Sequence, residues 1–148
     1  MEAVLIEETV HSNPEIIKMK VDLELSIEKE ELKEFKHLRI RENMVKDHEL
    51  GGMWYKIYFI KYKDKIVGFL SLAESTFYEN MAWLSELYVV PEYRRKKIGS
   101  SALSIAKKIV VERGFDYFGV RFTGEKRKKF YSRNGFNSEM SCVNVMEI

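Results

Sequence analysis

Apolar and polar positions change their spacing several times along the chain, and each change marks an element. Val4 to Val10 is apolar enough for a short first strand, and His11-Ser12-Asn13-Pro14 breaks it. Glu15 to Lys20 is a candidate helical turn. A helix is predicted over Ser26 to His48, with Ser26 as N-cap and Glu28, Glu30 and Glu31 at the end where a helix favours negative charge. Leu32, Phe35, Leu38 and Val45 fall near one face of it, a bend is expected at 39–42, and Gly51-Gly52 closes it. The period then drops to two. Trp54 to Tyr62 and Ile66 to Glu74 are aromatic and β-branched, with Lys63-Asp64-Lys65 between them, which predicts a hairpin. Gly68 inside the second run marks a bulge or a close approach by a helix. A loop over 75–80 leads to a further strand, Met81 to Val89.

The next stretch organises the rest. Leu87-Tyr88-Val89-Val90 ends a strand, and Pro91 stops pairing because it has no N–H to give. Arg94-Arg95-Lys96-Lys97 follow, then Gly99-Ser100-Ser101. Ile98, Ala102, Ile105 and Ile109 then make one apolar stripe at helical spacing, with Lys107, Lys108 and Glu112 on the other face. Gly114 is the expected left-handed residue after that helix. Phe115 to Phe122 reads as a strand, Glu125 to Asn134 as a helix ended by Gly135, and Phe136 to Met146 as one or two short strands. A strand, a cationic turn and a helix start in this order make a place for an anion, because unpaired N–H groups and the helix dipole point there together. By itself the basic run also fits a solvated loop; its position at a helix start favours the anion site. The element order is a mixed α+β plan with a central sheet, and the strand–helix–strand connection around Ile98 to Val110 requires one parallel pair.

Composition narrows this only slightly. The 148 residues fit one domain with a real core, and no apolar run approaches a membrane span. The acidic start, Met1 to Glu8, has no signal-peptide pattern, and the single cysteine, Cys142, cannot close an internal disulfide, so a cytoplasmic protein is expected. Net charge is only +2, yet cations gather at 94–97 and 126–129. That distribution fits one anionic ligand at one place better than a nucleic-acid backbone. No Cys/His spacing points to a metal, and His11, His37 and His48 stand in no motif.

Two motifs carry a resemblance. Arg94 through Ala102, following Leu87-Tyr88-Val89-Val90-Pro91, is similar to the pyrophosphate motif (Q/R)-x-x-G-x-(G/A) of the GNAT superfamily of acetyl-CoA-dependent N-acetyltransferases. Phe130-Tyr131-Ser132-Arg133-Asn134-Gly135-Phe136 resembles that family's late F-Y-x-x-x-G-F motif. The resemblance covers about Ile57 to Phe136 and implies one such domain over residues 1–148. Its sheet would be mostly antiparallel, with one parallel pair splayed apart and helices on its flanks. Two positions depart. Lys97 stands where the first glycine is usual, and Gly124 stands seven before Tyr131, where an Asn that contacts the cofactor arm is common.

What the resemblance implies is acetyl transfer from acetyl-CoA to a primary amine of a small molecule or protein, by direct attack in a ternary complex. Backbone N–H groups of Arg95, Lys96, Lys97, Ile98, Gly99 and Ser100 would hold the pyrophosphate, with Arg94, Arg95 and Lys96 side chains adding charge. Leu87 and Val89 would pair with the pantetheine arm, and Val89 N–H would also receive the carbonyl oxygen. Tyr131 would be the acid for the leaving thiol, since a phenol with a reference pKa of about 10 stays protonated; a packed aromatic is the other reading of it. Glu86 lies on the incoming strand. By alternation it shares a face with Leu84 and Tyr88, opposite Leu87 and Val89. A base acting through water, a site for a cationic acceptor, and a salt-bridged structural carboxylate are all open to it. Glu74, Tyr78 and Glu79 are further candidates for an acceptor cleft. The alternative function is a non-catalytic acyl-CoA-binding or sensing domain. The acceptor is not legible, and a homodimer is left open.

Overall fold

The computed structural model describes residues 4–31, 54–75, 78–122, 124–140 and 143–148. Among these, seven strands form one sheet in the order β1-β2-β3-β4-β5-β7-β6. The strands are β1 (Val4–Thr9), β2 (Tyr55–Tyr62), β3 (Lys65–Glu74), β4 (Met81–Val89), β5 (Tyr117–Val120), β6 (Ser138–Met140) and β7 (Val143–Glu147). All neighbours pair antiparallel except β4 and β5, the parallel pair that the sequence order requires. The hairpin between β2 and β3 turns on Lys63 and Asp64, both at positive φ, the geometry that matches the twist of two joined strands.

Among the described residues three α-helices flank the sheet: α1 (Pro14–Glu31), α2 (Ile98–Glu112) and α3 (Glu125–Arg133). The start of α1 corrects one expectation. Asn13 is its cap, accepting from Glu15 N–H through Oδ1 at 3.0 Å, and Pro14 occupies the first helical position, where its missing N–H costs nothing. Ser26 therefore lies inside a helix rather than at its start. The predicted positions Leu32, Phe35, Leu38, Val45, the 39–42 bend, Gly51-Gly52, His37, His48 and Cys142 lie outside the described residues.

Alternation along β2 sorts the core onto two faces. Tyr58 and Ile60 join Leu70, Leu72, Ala102, Ala106, Val110, Phe118 and Phe136 on the face covered by α2 and α3. Ile57 and Phe59 join Phe69, Tyr88, Ile16, Met19 and Leu23 on the α1 face. The buried stripe of α2 is Ile98, Ala102, Leu103, Ala106 and Val110; of the predicted four, Ile98 and Ala102 lie in it, while Ile105 and Ile109 are half-buried beside it.

Two irregularities shape β4 and β3. Ser71 pairs with Glu86 but Leu72 with Leu84, so Ser85 is an extra residue in the ladder. The bulge corrects the simple alternation: Leu84 lies in the α2 face cluster with Leu87 packed against it, whereas Tyr88 belongs to the α1 cluster. Glu86, two before Tyr88 and opposite Ser71, shares the face of Tyr88 but not that of Leu84. In β3, Ile60 pairs with Gly68 and Lys61 with Ile66, which makes Val67 the extra residue. Gly68 does mark this bulge, but what approaches it is a strand and not a helix. A Cβ there would sit 2.0 Å from the carbonyl oxygen of Tyr88.

Candidate active site

The parallel ladder between β4 and β5 runs from Met81/Tyr117 to Leu84/Val120 and stops. β4 continues five residues further, to Val89, paired only with β3 on that stretch. Among the described residues one edge of its second half is thus open, the splay that the resemblance implies. Which groups face the opening follows from the ladder. Val90 N–H donates to Val67 O at 2.8 Å, across to β3. N–H and C=O groups alternate in direction along an antiparallel strand, so those of Leu87 and Val89 face the open edge.

At the end of β4 the chain makes a single 3₁₀ turn over Pro91–Tyr93 and enters the basic loop. Arg94, Arg95, Lys96 and Lys97 are exposed. Arg95 and Lys97 both take positive φ, 64° and 62°. Lys97 is the residue before α2, with no side-chain cap. The first helical bond runs from Ser101 N–H to Lys97 O at 3.0 Å, so the N–H groups of Ile98, Gly99 and Ser100 precede the ladder. A left-handed residue at position 97 gives the physical reason for the family's glycine: the loop needs that conformation, and lysine adopts it at a cost. Arg94 behaves differently from its neighbours. Its Nε donates to Val89 O at 2.7 Å, and its guanidinium carbon lies 5.4 Å from the centre of the Tyr88 ring. The side chain folds back onto the end of β4, while Lys96 Nζ lies 5.4 Å from the centre of the Tyr93 ring.

α3 closes the other side. Phe130 abuts Gly99: a Cβ on Gly99 would meet its ring at 3.4 Å and Val89 Cγ2 at 4.0 Å. Asn134 Nδ2 donates to Ser100 Oγ at 3.2 Å and to Phe130 O at 2.8 Å, tying the end of α3 to the start of α2. Tyr131 is only 8% exposed and stacks on Phe122, just past the end of β5, with ring centres 5.3 Å apart. Burial pushes its hydroxyl up to about 12, an effect that the nearby Arg127 charge opposes. The phenol is therefore a proton donor across the whole physiological range. Both sequence motifs, 33 residues apart by the numbering of Ile98 and Tyr131, thus meet at the open end of β4.

Glu86 lies on the opposite face, 6% exposed, in the layer between sheet and α1. Ser71 Oγ donates to its Oε1 at 3.2 Å, and Lys20 Nζ stands 3.4 Å from the same oxygen. Lys20 Nζ is also 3.0 Å from His11 Nδ1. Lys20 and His11 are partners that the sequence reading did not find. Lys20 had a signal: it stands four after Ile16 and three before Leu23, a cation beside the buried stripe of α1. Glu74, Tyr78 and Glu79 are not brought to the open edge. Glu74 pairs with Ala82 at the far end of β4, and Tyr78 packs on Trp83 there. Gly124 precedes α3 at φ 90°. Among the described residues there is no group of three or more His, Cys, Asp or Glu able to hold a metal, and no helix long and apolar enough to cross a membrane.

Residues 20–136 match the model of the acetyltransferase (GNAT) family. No curated protein matches the chain. Among solved structures, the PaiA N-acetyltransferase from Thermoplasma acidophilum, in complex with coenzyme A, is similar with a TM-score of 0.70 at 19% identity, over 99% of each chain. An acetyltransferase of the GNAT family from Staphylococcus aureus Mu50 gives 0.69 at 22% identity, over 98% of this chain and 99% of its own. An aminoglycoside acetyltransferase from an uncultured soil metagenomic sample, in complex with sisomicin, gives 0.65 at 19% identity, over 93% and 91%. At these identities the likeness is one of fold.

Proposed function

The chain belongs to the acetyltransferase (GNAT) family, and from that premise we propose that residues 1–148 act as one cytoplasmic N-acetyltransferase domain, moving an acetyl group from acetyl-CoA to a primary amine. One observation carries the reading. The open edge of β4, ending at Val89, runs directly into the uncapped N–H groups of Ile98, Gly99 and Ser100. A strand edge suits an amide-bearing arm, and a helix start flanked by cations suits a pyrophosphate. The residues present therefore fit this cosubstrate, which supplies an activated thioester.

The roles follow from what each group is able to do. Leu87 and Val89 offer backbone groups to the arm, while Arg95, Lys96 and Lys97 add positive charge to the phosphate cradle with Ile98, Gly99 and Ser100. Val89 N–H holds the thioester oxygen as it gains negative charge. The neutral amine nitrogen bonds to the carbonyl carbon, the C–S bond breaks, Tyr131 gives its proton to the departing sulfur, and the proton that the nitrogen loses as the amide forms restores the phenol. Glu86 takes the proton that the acceptor ammonium must lose, through water. Since one fold neighbour was solved with an aminoglycoside, aminoglycosides and small polyamines head the acceptor panel, with lysine peptides after them.

The test has two stages. Thermal unfolding with acetyl-CoA or CoA in excess should raise the midpoint by mass action, and no shift at millimolar concentration would sink the reading. Thiol release is then followed across the amine panel. Turnover in Tyr131→Phe should fall about a hundredfold; equal turnover would remove Tyr131 as the acid. A pH–rate profile untouched by Glu86→Gln would likewise remove Glu86 as the base.

A further inference from the structure

Two residues outside the roles above fix the direction of the Val89 N–H. The amide that carries this N–H has the Tyr88 carbonyl at its other end, and in a trans peptide the two point opposite ways. The Tyr88 oxygen is pressed against β3 so closely that a Cβ on Gly68 would lie 2.0 Å from it and 3.0 Å from Tyr88 C and Val89 Cα. Only a glycine at position 68 leaves that space. The next peptide is held from both sides: Val90 N–H reaches Val67 O at 2.8 Å, while Val89 C=O accepts from Arg94 Nε at 2.7 Å. The Val67 bulge that brings Gly68 opposite Val89 belongs to the same arrangement. The arginine of the basic loop thus meets the end of the strand that the loop follows.

We propose that Gly68 and Arg94 are positioning residues for the Val89 N–H: Gly68 leaves room for the Tyr88 carbonyl on the β3 side, and Arg94 clasps the Val89 carbonyl on the open side. The proposal rests on the N-acetyltransferase reading and deepens it. It gives Arg94 a purpose other than phosphate charge. It also limits how the cosubstrate pairs with β4, because Val89 C=O is occupied, which leaves Val89 N–H for the thioester oxygen and the groups of Leu87 for the arm.

The two purposes of Arg94 separate by experiment. Acetyl-CoA labelled with ¹³C at its carbonyl is bound to wild type, Arg94→Met, Arg94→Lys and Gly68→Ala, and the carbonyl stretch is read by isotope-edited infrared spectroscopy. A carbonyl held by Val89 N–H absorbs at lower frequency than in a nonpolar environment. In Arg94→Met and Gly68→Ala the band should move back up and broaden, and kcat should fall tenfold or more, since small misplacements at a reacting centre are costly. The CoA dissociation constant should change less than threefold. Arg94→Lys, which keeps a donor, should recover part of both effects. A band unchanged in Arg94→Met, with only CoA affinity lost, would make Arg94 a phosphate ligand and overturn the proposal. If Gly68→Ala does not fold, the Arg94 pair carries the test alone. Wild type that binds no acetyl-CoA would instead overturn the underlying reading, so the two failures differ.

Discussion

The two halves of β4 are one strand with two different fates. From Met81 to Leu84 it is paired on both sides, with β3 and with β5. From Ser85 to Val89 it is paired on one side only. The first half spends its backbone groups on the sheet, and the second keeps Leu87 and Val89 available. The bulge at Ser85 is the boundary, and it also turns Glu86 towards α1 while Leu87 stays over the α2 face. Architecture and chemistry are thus separated within nine residues. Damage to the first half should cost stability, and damage to the second should cost turnover.

Phe118→Ala is the strongest way to test the first statement. Phe118 on β5 is fully buried, pairs beside Ala82 and packs edge-on against Phe136 at 5.2 Å. Its truncation should remove about 3–5 kcal/mol of stability in urea unfolding. The surviving folded fraction should turn over at close to the wild-type rate, and a stability loss below about 1 kcal/mol would mean that this half is not the anchor. Val89→Pro tests the second half. The lost N–H faces the open edge, so the ladder to β3 is spared. Turnover should fall about 10²–10³-fold, or about 2.7–4 kcal/mol on the barrier, for a much smaller change in unfolding. Comparable losses in both measurements would erase the distinction between the halves.

The α1 face gives a third contrast, because Glu86 is held there by Ser71 and Lys20. Lys20→Met leaves the buried Glu86 carboxylate with Ser71 but without its cation. The cost should be about 2–3 kcal/mol, below the full range for buried pairs because Lys20 is partly exposed. Adding Glu86→Gln should restore most of the loss. A double variant no more stable than the single one would mean that Lys20 acts through packing alone.

Tyr131 offers a sharper probe through pH. Its pKa is raised in the folded chain, to about 12 from an ordinary 10, because burial disfavours the phenolate. The folded state then keeps a proton that the unfolded state loses between those values. The contribution is fully present below pH 10 and declines as pH rises towards 12, by about 2–3 kcal/mol in all. Tyr58 and Tyr88, also raised mainly by burial, add to the same trend. Urea midpoints at pH 9, 10 and 11 should fall more steeply for wild type than for Tyr131→Phe. Parallel curves would mean that the hydroxyl is not buried as a neutral phenol.

How much of this was readable beforehand depends on what each feature writes into the chain. The strand end at Val89, the basic loop and the stripe of α2 were legible because period, Pro91 and charge all change within a few residues. The meeting of Tyr131 with that loop was legible only through the resemblance, since composition carries no long-range contact. The face of Glu86 was legible relative to Tyr88, Leu87 and Val89 but not relative to Leu84: one bulged residue reverses the alternation there, and Ser85 has no distinctive chemistry. The start of α1 was misread although Asn13-Pro14 is a good cap and first position, because Ser26 followed by acidic residues is an equally good signal. The fold-back of Arg94 was illegible for another reason, as a flexible cation next to three others says nothing of its direction.

Lys97 is where the open half carries its own strain. At φ 62° and ψ 15° it holds the left-handed conformation just before α2. An L-residue with a side chain loses about 1 kcal/mol or more there relative to glycine, while glycine loses about 0.5–1 kcal/mol through the greater freedom of its unfolded chain. Lys97→Gly should therefore change stability by less than about 1 kcal/mol, in the stabilising direction, the smallest effect of the set. Its effect on CoA separates what the lysine contributes as a charge from what it costs as a backbone. If the ammonium supplements the phosphate cradle, Lys97→Gly weakens CoA binding at low salt, and the difference disappears as salt screens it. If the cradle is made by backbone N–H groups alone, glycine binds CoA at least as well at every salt concentration. Titration of both proteins with CoA from about 20 mM to about 500 mM salt, over which the Debye length shrinks from about 20 Å to about 4 Å, decides between a glycine position filled by accident and one filled for its charge.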